Sequence, residues 1–338
     1  MTRKFIPAIL LLLLGTSSLF AQNHKFSGLV YADAYWVAAN HNSNYENQNG
    51  FWFRRIYFTY DNQLSDAFST RLRFEMNSPG DFSTKSKLNP FVKDAYLKWN
   101  LGQHDIYVGI STSPTFAFLE SVWGYRSVEK TLADLHKFGS SRDTGIAFKG
   151  SLDQNKRFQY HAMLANGNGT SSETNKEKKI MLAFAIELVK NLFVEGYSDW
   201  NGMPDGKDRY TKQGFIAYKT STFRIGAQFL HQTRKQGDGL DSQKIRWGSV
   251  FTAAKLGEKV WGFARVDRGF DPNPSGESLS YLPFSDQAKS KLIIAGLDFS
   301  VEENVHIMPN FELVNYDVDE GEAPSTDFIP RLTFYYTW

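Results

Sequence analysis

The residues best suited to chemistry in this sequence are cations. Arg55, Arg71, Arg73, Arg157, Arg224, Arg246, Arg265 and Arg331 stand in segments where polar and apolar residues alternate. Arg126 and Lys130 lie four residues apart in a longer segment that also carries Glu120 and Glu129. On a helix, that spacing would put them on one face. Guanidinium and ammonium groups gathered on a wet surface draw anions towards it. The acids Glu75, Asp143, Glu195, Asp199, Asp267 and Glu312 fall at alternating positions of the same kind. They could pair with the arginines and leave only a hydrated wall.

Bond-making chemistry has a weaker footing. The sequence has no cysteine, so it offers no thiolate nucleophile, thiolate metal ligand or disulfide. A Gly-x-Ser-x-Gly elbow is absent. So are His-Glu-x-x-His, the phosphate-binding Gly-rich loop and the dinucleotide fingerprint. The seven histidines are scattered without ligand spacing. Asp317, Asp319, Glu320 and Glu322 could meet a divalent cation, but such a run reads as solvated surface charge. No catalytic residue, cofactor or metal is expected. A membrane-embedded lipase would need a Ser–His pair, and Ser198 has no convincing partner.

The elements that would carry these cations are strands. Leu332, Phe334, Tyr336 and Trp338 fall on one face of a terminal strand, with Arg331, Thr333, Tyr335 and Thr337 on the other. Ile180, Leu182, Phe184, Ile186 and Leu188 repeat the pattern, as do Phe223, Ile225, Ala227 and Phe229. About sixteen such segments are expected, near 25–39, 51–61, 67–77, 91–100, 104–110, 142–149, 156–165, 179–188, 191–200, 209–219, 222–230, 244–254, 258–267, 289–299, 304–316 and 328–338; fourteen or eighteen strands are the neighbouring counts. Each approaches the 9–11 residues of a tilted membrane-crossing strand. Connections alternate short, such as Leu101-Gly102-Gln103, and long, such as Ser78–Pro90. That sorting describes an all-β, transmembrane antiparallel barrel. A secreted β-sandwich binding module is the competing fold, but it has no reason to sort its loops by length.

Hydropathy fits this reading. The mean hydropathy of −0.41 excludes a bundle of membrane helices, while 15% aromatic residues exclude a disordered chain. Alternation averages a lipid face with a wet face and so hides the membrane surface. On the lipid face near the midplane a Lys or Arg would cost about 2–4 kcal/mol, which assigns the charged positions to the lumen. Arg54 is the exception. It shares a face with Trp52, Ile56 and Phe58, so it must lie near a rim, at a subunit contact or at a bulge.

Arg3 and Lys4 precede the apolar run Phe5–Leu14, and Ala21 closes a plausible cleavage site. Residues 1–21 read as a signal peptide, and 22–338 as the barrel domain. Removing Arg3 and Lys4 from the 38 basic residues leaves 36, equal to the 36 acidic ones. Bulk charge therefore points to no nucleic acid.

Residues 111–140 form the one long connection with its own apolar pattern. Phe116, Leu119 and Trp123 lie at near-helical spacing, as do Val128, Leu132 and Leu135. A loop of this length should pack on something. Folded into the barrel as its third long loop, it would narrow the lumen and place Arg126, Lys130 and Glu120 beside Arg55, Arg71, Arg73, Glu75 and Arg157.

Three stretches resemble the phosphate-selective porin (porin O/P) family: Gly50–Tyr60 with its aromatic-Arg-Arg-aromatic core, Phe118-Leu119-Glu120 with Trp123-Gly124-Tyr125-Arg126, and Ser141–Ile146. No lysine cluster of the family's kind can be matched. The resemblance implies a passive outer-membrane channel for small hydrophilic solutes, with preference for anions and possible passage of phosphate. It implies a homotrimer in the bacterial outer membrane, and the C-terminal strand ending at Trp338 would be presented to the barrel-assembly machinery.

Overall fold

The computed structural model describes residues 24–338; the expected signal peptide lies outside them. Sixteen strands form one closed antiparallel barrel. They are β1 (His24–Trp36), β2 (Asn49–Gln63), β3 (Phe68–Met76), β4 (Phe91–Leu101), β5 (His104–Thr112), β6 (Arg142–Ser151), β7 (Phe158–Ala165), β8 (Lys179–Val189), β9 (Leu192–Asn201), β10 (Arg209–Lys219), β11 (Phe223–Arg234), β12 (Gln243–Lys255), β13 (Val260–Gly269), β14 (Lys289–Glu302), β15 (Val305–Asp317) and β16 (Asp327–Thr337). Two short helices, α1 (Ala117–Trp123) and α2 (Leu132–Leu135), lie between β5 and β6. Consecutive strands pair throughout, and β1 closes on β16. Closure leaves no open edge, the condition for placing strands in lipid.

The expected strands are all present, most within one or two residues. β1 ends earlier than expected, at Trp36, because Ala38 and Ala39 turn away to bond Phe328. β11 runs on to Arg234, held by pairs from Arg209↔Arg234 onward.

Side-chain alternation explains the wall. In β8, Ile180, Leu182, Phe184 and Leu188 are exposed on the outside, while Met181 and Ala183 between them are buried. Phe223, Ile225 and Phe229 of β11 face outward in the same way. The seam obeys the rule too. Leu332 and Tyr336 are exposed and Arg331 and Thr333 are buried. Trp338 then exchanges two backbone hydrogen bonds with Gly28, at 3.1 and 3.2 Å. A Cβ on Gly28 would collide with the Trp338 ring, so this position needs glycine.

Candidate functional site

Two β-bulges shape the inner surface of β2–β6. Between β1 and β2 the register jumps from Tyr31↔Arg55 to Ala32↔Phe53, so Arg54 is the extra residue. Between β3 and β4 it jumps from Arg73↔Asp94 to Phe74↔Val92, so Lys93 is the extra residue. A bulge re-aims side chains. Here each one turns two adjacent charged residues inward, Arg54 with Arg55 and Lys93 with Asp94, and all four are buried. This resolves the Arg54 anomaly, and it corrects the face of Trp52. Trp52, expected on the face of Ile56 and Phe58, points inward and donates to Asp33 at 3.0 Å. Phe51 beside it is 86% exposed.

The inner charges interlock. Glu75 lies 3.3 Å from Arg55 and 2.9 Å from Lys93. Asp94 takes Arg73 at 3.0 Å and also Arg142. Arg71 pairs with Asp61 at 2.7 Å. Arg55 and Arg73 both stack on Tyr57, at 5.1 and 4.7 Å from its centroid. The aromatic face and the carboxylates let like charges sit close together.

The segment 113–141 is built differently from expectation. α1 stops at Gly124, whose φ of +69° is the left-handed conformation that glycine adopts freely. A Cβ there would also meet the Arg224 guanidinium. Residues 124–131 are not helical, so Arg126 and Lys130 are not one helical turn apart on a shared helix face. Val128 likewise lies outside α2, which holds Leu132 and Leu135.

What fixes the irregular stretch is an apolar core and a set of side-chain donors. Phe116, Leu119, Val122, Trp123, Val128 and Leu132 are buried against Phe215, Leu230, Ile245, Trp247, Phe251 and Phe263 of β10–β13. Backbone carbonyls left free by the missing helix must still be paired. Gln213 donates to the carbonyl of Thr115 (3.1 Å), Lys219 to Ser121 (2.9 Å) and Gln232 to Phe138 (2.9 Å). Arg54, Arg331 and Arg265 donate to those of Ser127, Val128 and Lys130. Glu129 lies 3.2 Å from Arg54 and 3.7 Å from Arg331. Burial alone would raise its pKa, but these cations, Arg54 foremost, hold it down to about 2.

Arg126 and Lys130 nevertheless converge. Both line a small cavity of about 80 Å³ together with Arg55, Glu75, Glu129 and Tyr281. Arg126 is engaged by Asp134 at 2.9 Å and Glu120 at 3.4 Å. No carboxylate lies in ion-pair range of the Lys130 ammonium among the described residues, while its backbone N–H donates to the Glu129 carboxylate at 2.7 Å. Arg71 and Arg73 lie further along the same inner wall.

Two expected inner arginines are elsewhere. Arg157 sits exposed in the turn before β7 and donates to the carbonyls of Glu187 and Leu188. Arg246 is exposed and pairs with Asp271 at 2.9 Å, because Ile245 and Trp247 take the inner face of β12. Arg224, Arg265 and Arg331 are inward as expected, but they brace the segment. Asp317 and Asp319 pair with Arg268 and Lys289. Ser198 has Leu182 and Lys212 as cross-strand neighbours.

Sequence reasoning missed Lys93, Asp94, Lys98, Arg142 and Lys149. Counting by twos from Asp143 would have reached Lys149. The bulges concealed Lys93. At the long-loop rim, a tie also went unseen. His41 Nδ1 lies 2.9 Å from Asp327, and its Nε2 lies 3.0 Å from Glu277. Burial tends to lower the His41 pKa, but the hydrogen bonds and charges of Asp327 and Glu277 outweigh it and raise it above 6.5.

No family model and no curated protein matches the chain. Among solved structures, the fold is similar to the anion-selective porin from Comamonas acidovorans (12% identity, TM-score 0.70, covering 93% of this chain and 99% of that one). It is also similar to Salmonella typhi OmpF in complex with daunomycin (11%, 0.67, 94% and 98%). A third is OmpT, an outer-membrane protein of Vibrio cholerae, in its trimer form (11%, 0.61, 93% and 99%). At such identities the likeness establishes a shared barrel fold, one found in bacterial outer-membrane porins.

Proposed function

We propose that this protein is a passive diffusion channel of the bacterial outer membrane for small hydrophilic solutes, with a preference for small anions. The observation that carries the reading is the small cavity between Arg126 and Lys130 on one side and Arg55 and Glu75 on the other. In this reading, residues 113–141 fold across the lumen and this cavity is the narrow point. Rings of charge set selectivity where a pore is narrow. Cavities of about 520 and 560 Å³ on the short-turn side, each touching Lys98, suit a wide vestibule leading to it. Diffusion through such a path requires no catalytic residue and no cofactor.

Phosphate is one candidate anion, by the resemblance to the porin O/P family; the inner lysines Lys93, Lys98 and Lys149 supply cations on the wall. A homotrimer in outer-membrane lipid, removal of residues 1–21, and assembly guided by the strand ending at Trp338 belong to the same proposal. The trimer form of the Vibrio cholerae barrel supports it by analogy of fold.

Purified protein in planar bilayers should give stepwise conductance, and folded protein without conductance refutes the channel. Lys130→Glu should move the reversal potential in a salt gradient towards cation preference. Arg126→Glu should move it less, because Glu120 and Asp134 already offset Arg126. An unchanged reversal potential in both variants would remove the segment from the conducting path.

A further inference from the structure

A cavity of about 560 Å³ on the short-turn side holds ionisable groups that the wall leaves without partners. Glu195 of β9 is 4% exposed, and its Oε1 is buried with no hydrogen-bond partner among the described residues. The Nε2 of His161 on β7 is buried and unpartnered in the same way. Lys149 of β6 rests over the Tyr107 ring at 4.9 Å. The nearest acid of the neighbouring strand, Asp105, is taken by Lys98 at 2.9 Å.

These groups form a row across four strands. Lys149 pairs with His161 in register, His161 with Ala183, and Ala185 with Glu195. The two alanines on β8 leave open space between the cation and the carboxylate. Three strand spacings of about 4.8 Å, with the two-residue step from Ala183 to Ala185 along β8, put the Lys149 and Glu195 backbones about 16 Å apart, shortened by the reach of both side chains. The two charges therefore do not meet, and each faces the same space. A buried ionisable group with no partner pays to keep its charge or gives it up, and a complementary charge on a bound solute removes that cost.

We propose that this cavity is a binding subsite for zwitterionic solutes of short-peptide length. The solute's ammonium would lie against Glu195 and its carboxylate against Lys149, with His161 bonding the amide between them. An α-amino acid is too short to satisfy both ends, and a singly charged solute satisfies one. The proposal rests on the channel reading only for how the solute reaches the cavity, so its test measures binding rather than flux.

The test is saturation-transfer NMR on detergent-solubilised, folded protein, using glycylglycine, N-acetylglycylglycine, glycylglycinamide and sucrose as probes. Glycylglycine should bind about tenfold more tightly than either singly charged analogue, the effect of one added charge contact. Glu195→Gln should abolish the advantage over the acetylated probe, and Lys149→Gln the advantage over the amide. Heat-modifiable mobility on gels checks that both variants fold. Equal binding of all three peptides, sucrose binding as tightly as glycylglycine, no binding to folded wild type, or unchanged preferences in the variants overturns the proposal. Binding retained in protein that does not conduct would refute the channel and leave the subsite standing.

Discussion

The inner surfaces of β2–β6 and of β10–β13 come from the same strand geometry and carry opposite chemistry. The first is an interlocked field of Arg55, Arg71, Arg73, Glu75, Lys93 and Asp94. The second is an apolar bed of Phe215, Leu230, Ile245, Trp247, Phe251 and Phe263, covered by residues 113–141. An interior face of a barrel has two ways to satisfy itself, by water and ion pairs or by a packed cover. This chain uses one on each side. The covered half fixes the segment, and the charged half satisfies its groups among themselves.

The sharpest way to break this division is Trp123→Ala. It removes the largest fully buried side chain of the segment from contact with Phe251 and Phe263. A loss of about 3–5 kcal/mol is expected, as for other buried Trp truncations. It should be read as a lower unfolding midpoint and new protease cleavage within 113–141. Lys130→Gln, at the free edge, should cost much less than Trp123→Ala, because no carboxylate lies in ion-pair range of the Lys130 ammonium among the described residues and no packed apolar group is removed. Comparable losses from the two variants would erase the distinction between the halves.

Gly124→Ala tests the hinge between them. A left-handed backbone costs a non-glycine residue about 1–2 kcal/mol, and the added methyl also presses on Arg224. Its loss should exceed that of an alanine replacing Gly214, where a Cβ meets nothing within 4 Å. The comparison is made by urea titration of the two variants in detergent.

The smallest expected effect lies at the rim, outside both halves. His41 has a raised folded pKa. Its tie to Asp327 and Glu277 is therefore fully present below the unfolded value of 6.5 and is lost as pH rises through the folded value. Loop cleavage by an added protease should increase over that window in the wild type. In His41→Gln it should be flat with pH. A slope of the same size in the variant would assign the effect elsewhere.

The strands were legible because lipid punishes charge on one face, and Arg71, Arg73 and Glu75 declare that parity directly. Legibility failed where the parity was broken or had no charge to mark it. Arg54 and Lys93 are hidden by bulges, which add a residue without altering composition. Arg246 was misassigned because β12 is apolar on the inside, at Ile245 and Trp247, for the sake of the segment it supports. The helical spacing of Arg126 and Lys130 was a true period with a false cause. Gly124 stops the helix, and the two cations converge through a braced, irregular backbone instead. Paired apolar faces on β10–β13 were the available signal that something would cover them.

The seam between β1 and β16 has a consequence for how the molecule is made. The hydroxyl of Thr333 reaches Asp33 across 300 positions of sequence, so the ring shuts through the longest-range contacts in the chain. The entropy of joining such distant ends grows only slowly with separation, but those pairs form late and slowly. Until then both flanking strands carry bare backbone donors and acceptors that hydrocarbon cannot satisfy. In the membrane reading proposed above, completion of the ring and entry into lipid are therefore coupled steps.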